Sequence, residues 1–139
     1  SIQLSDLKYL LYEAKNCCKK TLDKKKIVHM IIKKYIIDNQ SYSFLPNQIN
    51  CNNFSLDVKF ICLSNNFVQN LENVLKKYHI SLNQVVSAKY IENFLSDQEK
   101  NIFLMTNKII NGHNPNEIIL VDKSRKNEGF FEKFFNFFN

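Results

Sequence analysis

Two glycines and two prolines are all that punctuate this chain of 139 residues. Glycine supplies positive φ and proline a fixed φ, so both mark the places where a backbone turns sharply. A fold of many short strands needs such marks at frequent intervals. Their scarcity directs the chain away from an all-β sandwich or barrel and toward a few longer elements. The four fall at Pro46, Gly112, Pro115 and Gly129, and they divide the apolar patterns described next.

Leu4, Leu7, Leu11, Ala14 and Cys18 recur at helical spacing and predict a first helix to about Lys20, capped by Ser5. Lys8, Lys15 and Lys19 fall on its wet side, and the lysines of residues 24–26 end it in a loop. Residues 27–37 are dense in Ile, Val and Tyr, which favours a strand. Strict alternation would place Ile27, His29, Ile31 and Tyr35 on one face. Asp38, Asn39 and Gln40 close it as a turn.

Residues 41–55 are polar and read as a long loop around Pro46, with room for one short irregular strand. Residues 56–63, LDVKFICL, predict a second strand with Cys62 inside. Asn65 or Asn66 caps a second helix whose apolar face is Phe67, Leu71, Val74 and Tyr78, widened by Val68 and Leu75. Residues 80–88, centred on Val85 and Val86, predict a third strand. Residues 90–110 are helical in character and stop at Gly112, with a turn at Asn114 and Pro115. Residues 117–121 carry one more strand signal. The expectation is a small α+β domain over residues 1–121, in the order helix, strand, strand, helix, strand, followed by a charged linker at 122–129.

The last ten residues read FFEKFFNFFN. Phe130, Phe131, Phe134, Phe135, Phe137 and Phe138 form one continuous face at helical spacing, with Glu132, Lys133, Asn136 and Asn139 opposite. Burying one such ring is worth roughly 1.5–3 kcal/mol. Six rings offset the cost of ordering a helix too short to hold alone in water. Such a face is covered by a groove of the chain's own domain, by another protein or by lipid, and the expected geometry is a helix lying in a lipid surface, aromatic face down. Lys133, with Lys123, Arg125 and Lys126 upstream, reaches anionic head groups, while Glu128 and Glu132 oppose that attraction. No stretch approaches the ~20 apolar residues of a spanning helix, and the first eight residues lack the apolar core of a secretory leader.

Charge is uneven. Residues 1–40 hold nine lysines against four acids, whereas residues 41–100 balance. A basic first third could meet nucleic acid or an anionic membrane, but with no arginine and few aromatics beside the lysines it reads as a solvated helix face and its loop, and no nucleic-acid partner is expected. Cys17, Cys18, Cys51 and Cys62 include no CxxC pair and predict reduced thiols in a cytosolic setting. His29, His79 and His113 each lack a second ligand nearby in sequence, so no metal is expected. Two glycines cannot build a phosphate-cradling loop. No enzyme activity and no cofactor are expected.

Several of these residues also carry a resemblance. Residues 26–38, KIVHMIIKKYIID, place His29, Tyr35 and Asp38 at the spacing of a segment in FtsA, the actin-like bacterial protein that tethers the division ring to the membrane. Pro46 matches a proline in the loop that follows, and residues 54–58 match a strand of the type LxVDV. Asn70 and Leu71 match a helix, and residues 95–100, LSDQEK with Glu99, match the end of the unit. Gly129, Phe130 and Phe131 are similar to the start of the family's terminal amphipathic helix. The resemblance covers about residues 4–100 and the tail, and it implies the family's inserted interaction subdomain, a strand–helix–strand–strand type unit. The chain departs from the family pattern where Gln48 and Cys51 replace glycines, Lys59 replaces a frequent histidine and Ala88 a frequent proline. After Lys100 the family's second nucleotide-binding lobe does not follow, so neither an ATP site nor the main FtsZ-binding surface is carried over.

The resemblance implies a cell-division adaptor on the inner face of the cytoplasmic membrane. Its expected partners are division proteins, through FtsA-type self-association and contacts with later-acting components. Two alternatives accompany it: a small basic nucleic-acid-binding domain, and a non-functional fragment of a decayed gene.

Overall fold

The computed structural model describes residues 3–47 and 49–120. The linker, the six terminal phenylalanines, Lys133 and Gln48 lie outside the described residues, as do Lys123, Arg125 and Lys126. The elements are α1 (Leu4–Thr21), β1 (Lys25–Ile37), β2 (Gln40–Tyr42), β3 (Phe54–Ser64), α2 (Asn65–Lys76), α3 (Ala88–Glu92), α4 (Ile102–Ile110) and β4 (Glu117–Ile118). The α+β class stands: α1, β1, β3 and α2 follow the expected order, the strand expected over 80–88 does not form, the helical stretch of 90–110 divides into α3 and α4, and β4 is shorter than the strand signal at 117–121.

β1 is the spine. β3 pairs antiparallel with it along its length, while β2 and β4 share the opposite edge. β1 is buried on both faces, which is why it reads as a nearly unbroken apolar run. One face meets α1, where Leu7, Leu11, Met30, Ile32, Tyr35 and Ile118 form a core. The other meets α3 and α4, where Ile31 packs with Tyr90, Ile91, Met105 and Ile109.

The expected face of β1 is corrected by two bulges. The ladder with β3 steps from Ile27 to His29 and from Ile32 to Lys34, so Val28 and Lys33 are extra residues. Each extra residue inverts the alternation beyond it. Ile27 stands opposite Cys62, and Tyr35 opposite Leu56, on the α1 side. His29 and Ile31 point the other way. Cys62 lies beside Cys18 of α1, whose thiol is pushed up first by burial and then by the neighbouring Cys62.

Other boundaries shift for local reasons. α1 begins one residue before Ser5, because the Asp6 carboxylate accepts the Gln3 N–H at 2.8 Å and favours the positive end of the helix. Lys8 and Lys15 are half-buried rather than wet. Lys25 and Lys26 pair with Ser64 and Leu63, so the lysine run opens β1 instead of forming a loop. Ser64, not Asn65 or Asn66, is the cap position of α2. The inner stripe of α2 is Val68 with half-buried Leu71 and Leu75, whereas Phe67, Val74 and Tyr78 face outward.

The turn at Asp38 and Asn39 is as expected. Both have positive φ, 45° and 66°, the geometry of a two-residue hairpin turn, and the hairpin creates β2. The Asp38 carboxylate accepts the N–H groups of Asn52 and Asn53 at 3.0 and 2.9 Å, which pins the returning loop. Residues 80–87 form no strand, because β4 already holds the edge of β1 beside them. Residues 90–110 are not one helix. A turn between Ser96 and Glu99 interrupts them, and Asn101 caps α4 by accepting from Phe103 and Leu104 N–H. No described helix is long and apolar enough to cross a membrane.

Candidate functional site

The described residues offer two concentrations of polar chemistry, one buried and one open. The buried one is centred on His29, which is 2% exposed. Its Nε2 accepts the Ser87 N–H at 2.9 Å, which assigns the proton to Nδ1. Nδ1–H then donates to Glu117 Oε1 at 2.6 Å. The other carboxylate oxygen accepts from Tyr90 Oη at 2.9 Å, and Asn114 Nδ2 donates to Tyr90 Oη at 2.9 Å. The His29 and Tyr90 rings pack at a tilt of 46° with centroids 4.3 Å apart, and Phe94 meets Tyr90 edge-on at 5.1 Å.

Each partner reaches His29 by a different route. The bulge at Val28 aims the ring toward α3. β4 delivers Glu117 by pairing with Ile31. Ser87 sits at the cap of α3, where its hydroxyl accepts the Tyr90 N–H at 3.3 Å. The result is a clamp that ties β1, β4 and the start of α3 together.

A serine, a histidine and a carboxylate lie together, yet the geometry is not that of a nucleophile and base. The lone pair of Nε2 is taken by the Ser87 backbone N–H, and the Ser87 hydroxyl is engaged by Tyr90. A general base needs that lone pair directed at the proton it removes. Among the described residues, no buried side-chain nitrogen or oxygen lacks a partner, and no three metal-ligating side chains cluster. The clamp is a closed network whose parts satisfy one another.

Burial sets its response to alkali. The Tyr35 phenol is pushed up to about 12 by burial. Tyr90 is pushed higher still, chiefly by burial, with the hydrogen bond from Asn114 opposing and the Glu117 charge assisting. Both phenols ionise near 10 in an unfolded chain. The fold therefore holds its full contribution from them below pH ~10 and loses it as pH rises through about 12. The expected result is cooperative unfolding in that window, with two of the six tyrosines ionising only as it proceeds. Parallel circular dichroism and phenolate absorbance titrations check this. Early ionisation of all six without unfolding would contradict it.

The open concentration is a hollow beside the end of α1. Lys15, Lys19, Lys25 and Lys26 line it together with Asp23, Asn65 and Leu120. Leu120, which lines the same hollow, is the last of the described residues.

The positions that carry the resemblance have different places in the fold. His29 and Tyr35 are buried structural pins, and Asp38 sets the hairpin turn. Pro46 is half-buried in the loop against the hairpin, near Ile37 and Tyr42. Asn70 is exposed and Leu71 half-buried on α2. Glu99 accepts from Asn101 N–H at 3.1 Å and from Lys108 Nζ at 3.4 Å, far from the others in role. Sequence reasoning passed over Glu117, Ser87, Tyr90 and Asn114. The one signal for them was His29 itself, because a histidine in a buried strand must find partners. In comparisons with known proteins, no family model matches this chain, and no curated protein or solved structure matches it.

Proposed function

We propose that this protein is a non-enzymatic adaptor resembling part of FtsA, which binds the inner face of the cytoplasmic membrane through residues 130–139 and presents its α+β domain to division proteins. The observation that carries the membrane part is the nearness in sequence of the phenylalanines to a basic hollow. Leu120, ten residues before Phe130, lines that hollow with Lys15, Lys19, Lys25 and Lys26. A tail anchored in an anionic surface brings that surface to the same lysines. Each basic group near such a surface adds about 1 kcal/mol of attraction, while apolar insertion of the rings supplies the larger share.

The division part rests on the resemblance. His29, Tyr35 and Asp38 serve the fold, as a clamp, a core residue and a turn residue. A likeness at such positions speaks for a common scaffold, which suits an interaction unit better than a reaction site.

The test is co-sedimentation of the full chain with anionic vesicles. Phe134→Glu with Phe135→Glu should release it at any salt concentration, with a loss of binding of at least about a hundredfold. Lys19→Glu with Lys26→Glu should weaken it several-fold, and only at low salt. Unchanged binding of the phenylalanine variant would defeat the membrane reading. The same lysines favour a second reading, a polyanion site for nucleic acid. Binding to DNA or RNA that falls steeply with salt and ignores the phenylalanine changes would support that one instead.

A further inference from the structure

β3 is the outer strand of the sheet. It pairs with β1 along its length, and no described residue makes a backbone hydrogen bond to its other side. One bond fixes where its polar groups point. The Ile32 N–H donates to the Asn116 carbonyl at 2.8 Å, on the β4 side of β1. Ile32 stands opposite Val58, so these two form a pair that exchanges no hydrogen bonds. The N–H and C=O of Val58 therefore point away from β1. Those of Phe54, Leu56, Phe60 and Cys62 follow by alternation, because both bulges lie on β1 and β3 runs unbroken from Phe54 to Ser64.

An open, regular edge of 11 residues is a template for another strand. Protected edges carry prolines, bulges or several lysines. β3 has a single lysine, Lys59, and Asp57 lies two residues before it on the same exposed face. That spacing is self-complementary.

We propose that β3 pairs antiparallel with β3 of a second copy of this chain, about a two-fold axis through Val58. In that register Val58 faces Val58 of the copy, and the two exchange both backbone bonds. Asp57 of each copy faces Lys59 of the other, at the closely spaced positions where side chains meet. Leu56 of each faces Phe60 of the other, joining the half-buried apolar rows that pack on the α1 core. The charges also select the register. Moving the axis by one residue sets Lys59 against Lys59, or Asp57 against Asp57. The pairing needs no lipid and stands apart from the membrane reading.

Sedimentation velocity of the full chain over a range of concentrations tests it. The expected result is a reversible dimer. Asp57→Lys and Lys59→Asp should each weaken it by roughly tenfold or more, since both cross-strand pairs become repulsive. An equimolar mixture of these two variants should restore it, because each lysine then faces an aspartate. Val58→Pro removes an outward N–H without touching the β1 ladder, and should abolish dimerisation while the circular dichroism spectrum stays unchanged. A full chain that remains monomeric overturns the proposal. So does a dimer that Asp57→Lys leaves intact, which would assign association to another surface, such as the outward aromatics of α2 or the terminal phenylalanines.

Discussion

His29→Ala is expected to cost about 3–5 kcal/mol of folding stability. The ring is 2% exposed, and it bonds at both nitrogens. Truncation leaves the Glu117 carboxylate, whose side chain is 12% exposed, without its closest partner. It also orphans the Ser87 N–H and removes the ring packed against Tyr90 at 4.3 Å. Leaving one charged partner buried is more costly than losing the pair's attraction alone. Glu117→Gln gives the contrast. Its amide oxygen still accepts from Nδ1, but its NH2 group faces the Tyr90 hydroxyl, which loses its acceptor, so the loss should be smaller than for His29→Ala yet about 1–3 kcal/mol. Urea denaturation of the three proteins, with a double-mutant cycle across His29 and Glu117, measures this. A loss near 1 kcal/mol for His29→Ala, with no coupling to Glu117, would mean that water replaces the clamp and that the network holds nothing.

How much of this arrangement was legible beforehand depends on range along the chain. Features decided by neighbours were readable. Asp38 and Asn39 tolerate positive φ and have short polar side chains, and they turn where expected. The periodicity of Leu7 and Leu11 predicted the buried face of α1. Features decided by distant partners were not readable. Glu117 lies 88 residues from His29, and Asn116 lies 81 from Tyr35. No local pattern announces such a pairing.

The bulges at Val28 and Lys33 had the widest consequence. Side-chain direction in a strand is a parity, so one unpaired residue reverses every assignment after it. Ile27, His29, Ile31 and Tyr35 were assigned to one face by counting, and two bulges distribute them between both. A strand buried on both sides hides the error, because apolar residues are required at odd and even positions alike. Residues 80–88 failed for a related reason. Val85 and Val86 suit a strand, but a strand needs an unoccupied edge, and β4 fills the one within reach. The segment uses its polar backbone differently, donating the Ser87 N–H to His29. α2 differs again: Val68, rather than Phe67, is its buried residue, and the larger apolar side chains are left outside.

Tyr35→Ala should match or exceed the His29 change, at about 3–5 kcal/mol, by a different physical route. Tyr35 is 1% exposed and lies in the α1-side core with Leu7, Leu11, Met30, Ile32 and Ile118. Removing the ring leaves a cavity beneath α1 that β1, held on both edges by β3 and β2, cannot close. The hydroxyl contributes little by comparison, since its bond to Asn116 Oδ1 is long, 3.4 Å. Tyr35→Phe should therefore lose no more than about 1 kcal/mol. The pair also separates packing from ionisation. Phenylalanine keeps the ring but has no proton to lose, so the Tyr35→Phe protein should resist alkali better between pH ~10 and about 12, where the wild-type phenol must ionise on unfolding. Urea midpoints at neutral pH rank the variants by packing, and the same measurement at alkaline pH should bring Tyr35→Phe level with the wild type or above it. If Tyr35→Ala and Tyr35→Phe were equally destabilised at neutral pH, the hydroxyl rather than the ring would be holding β1 against α1, and the reading of this core as an apolar one would fail.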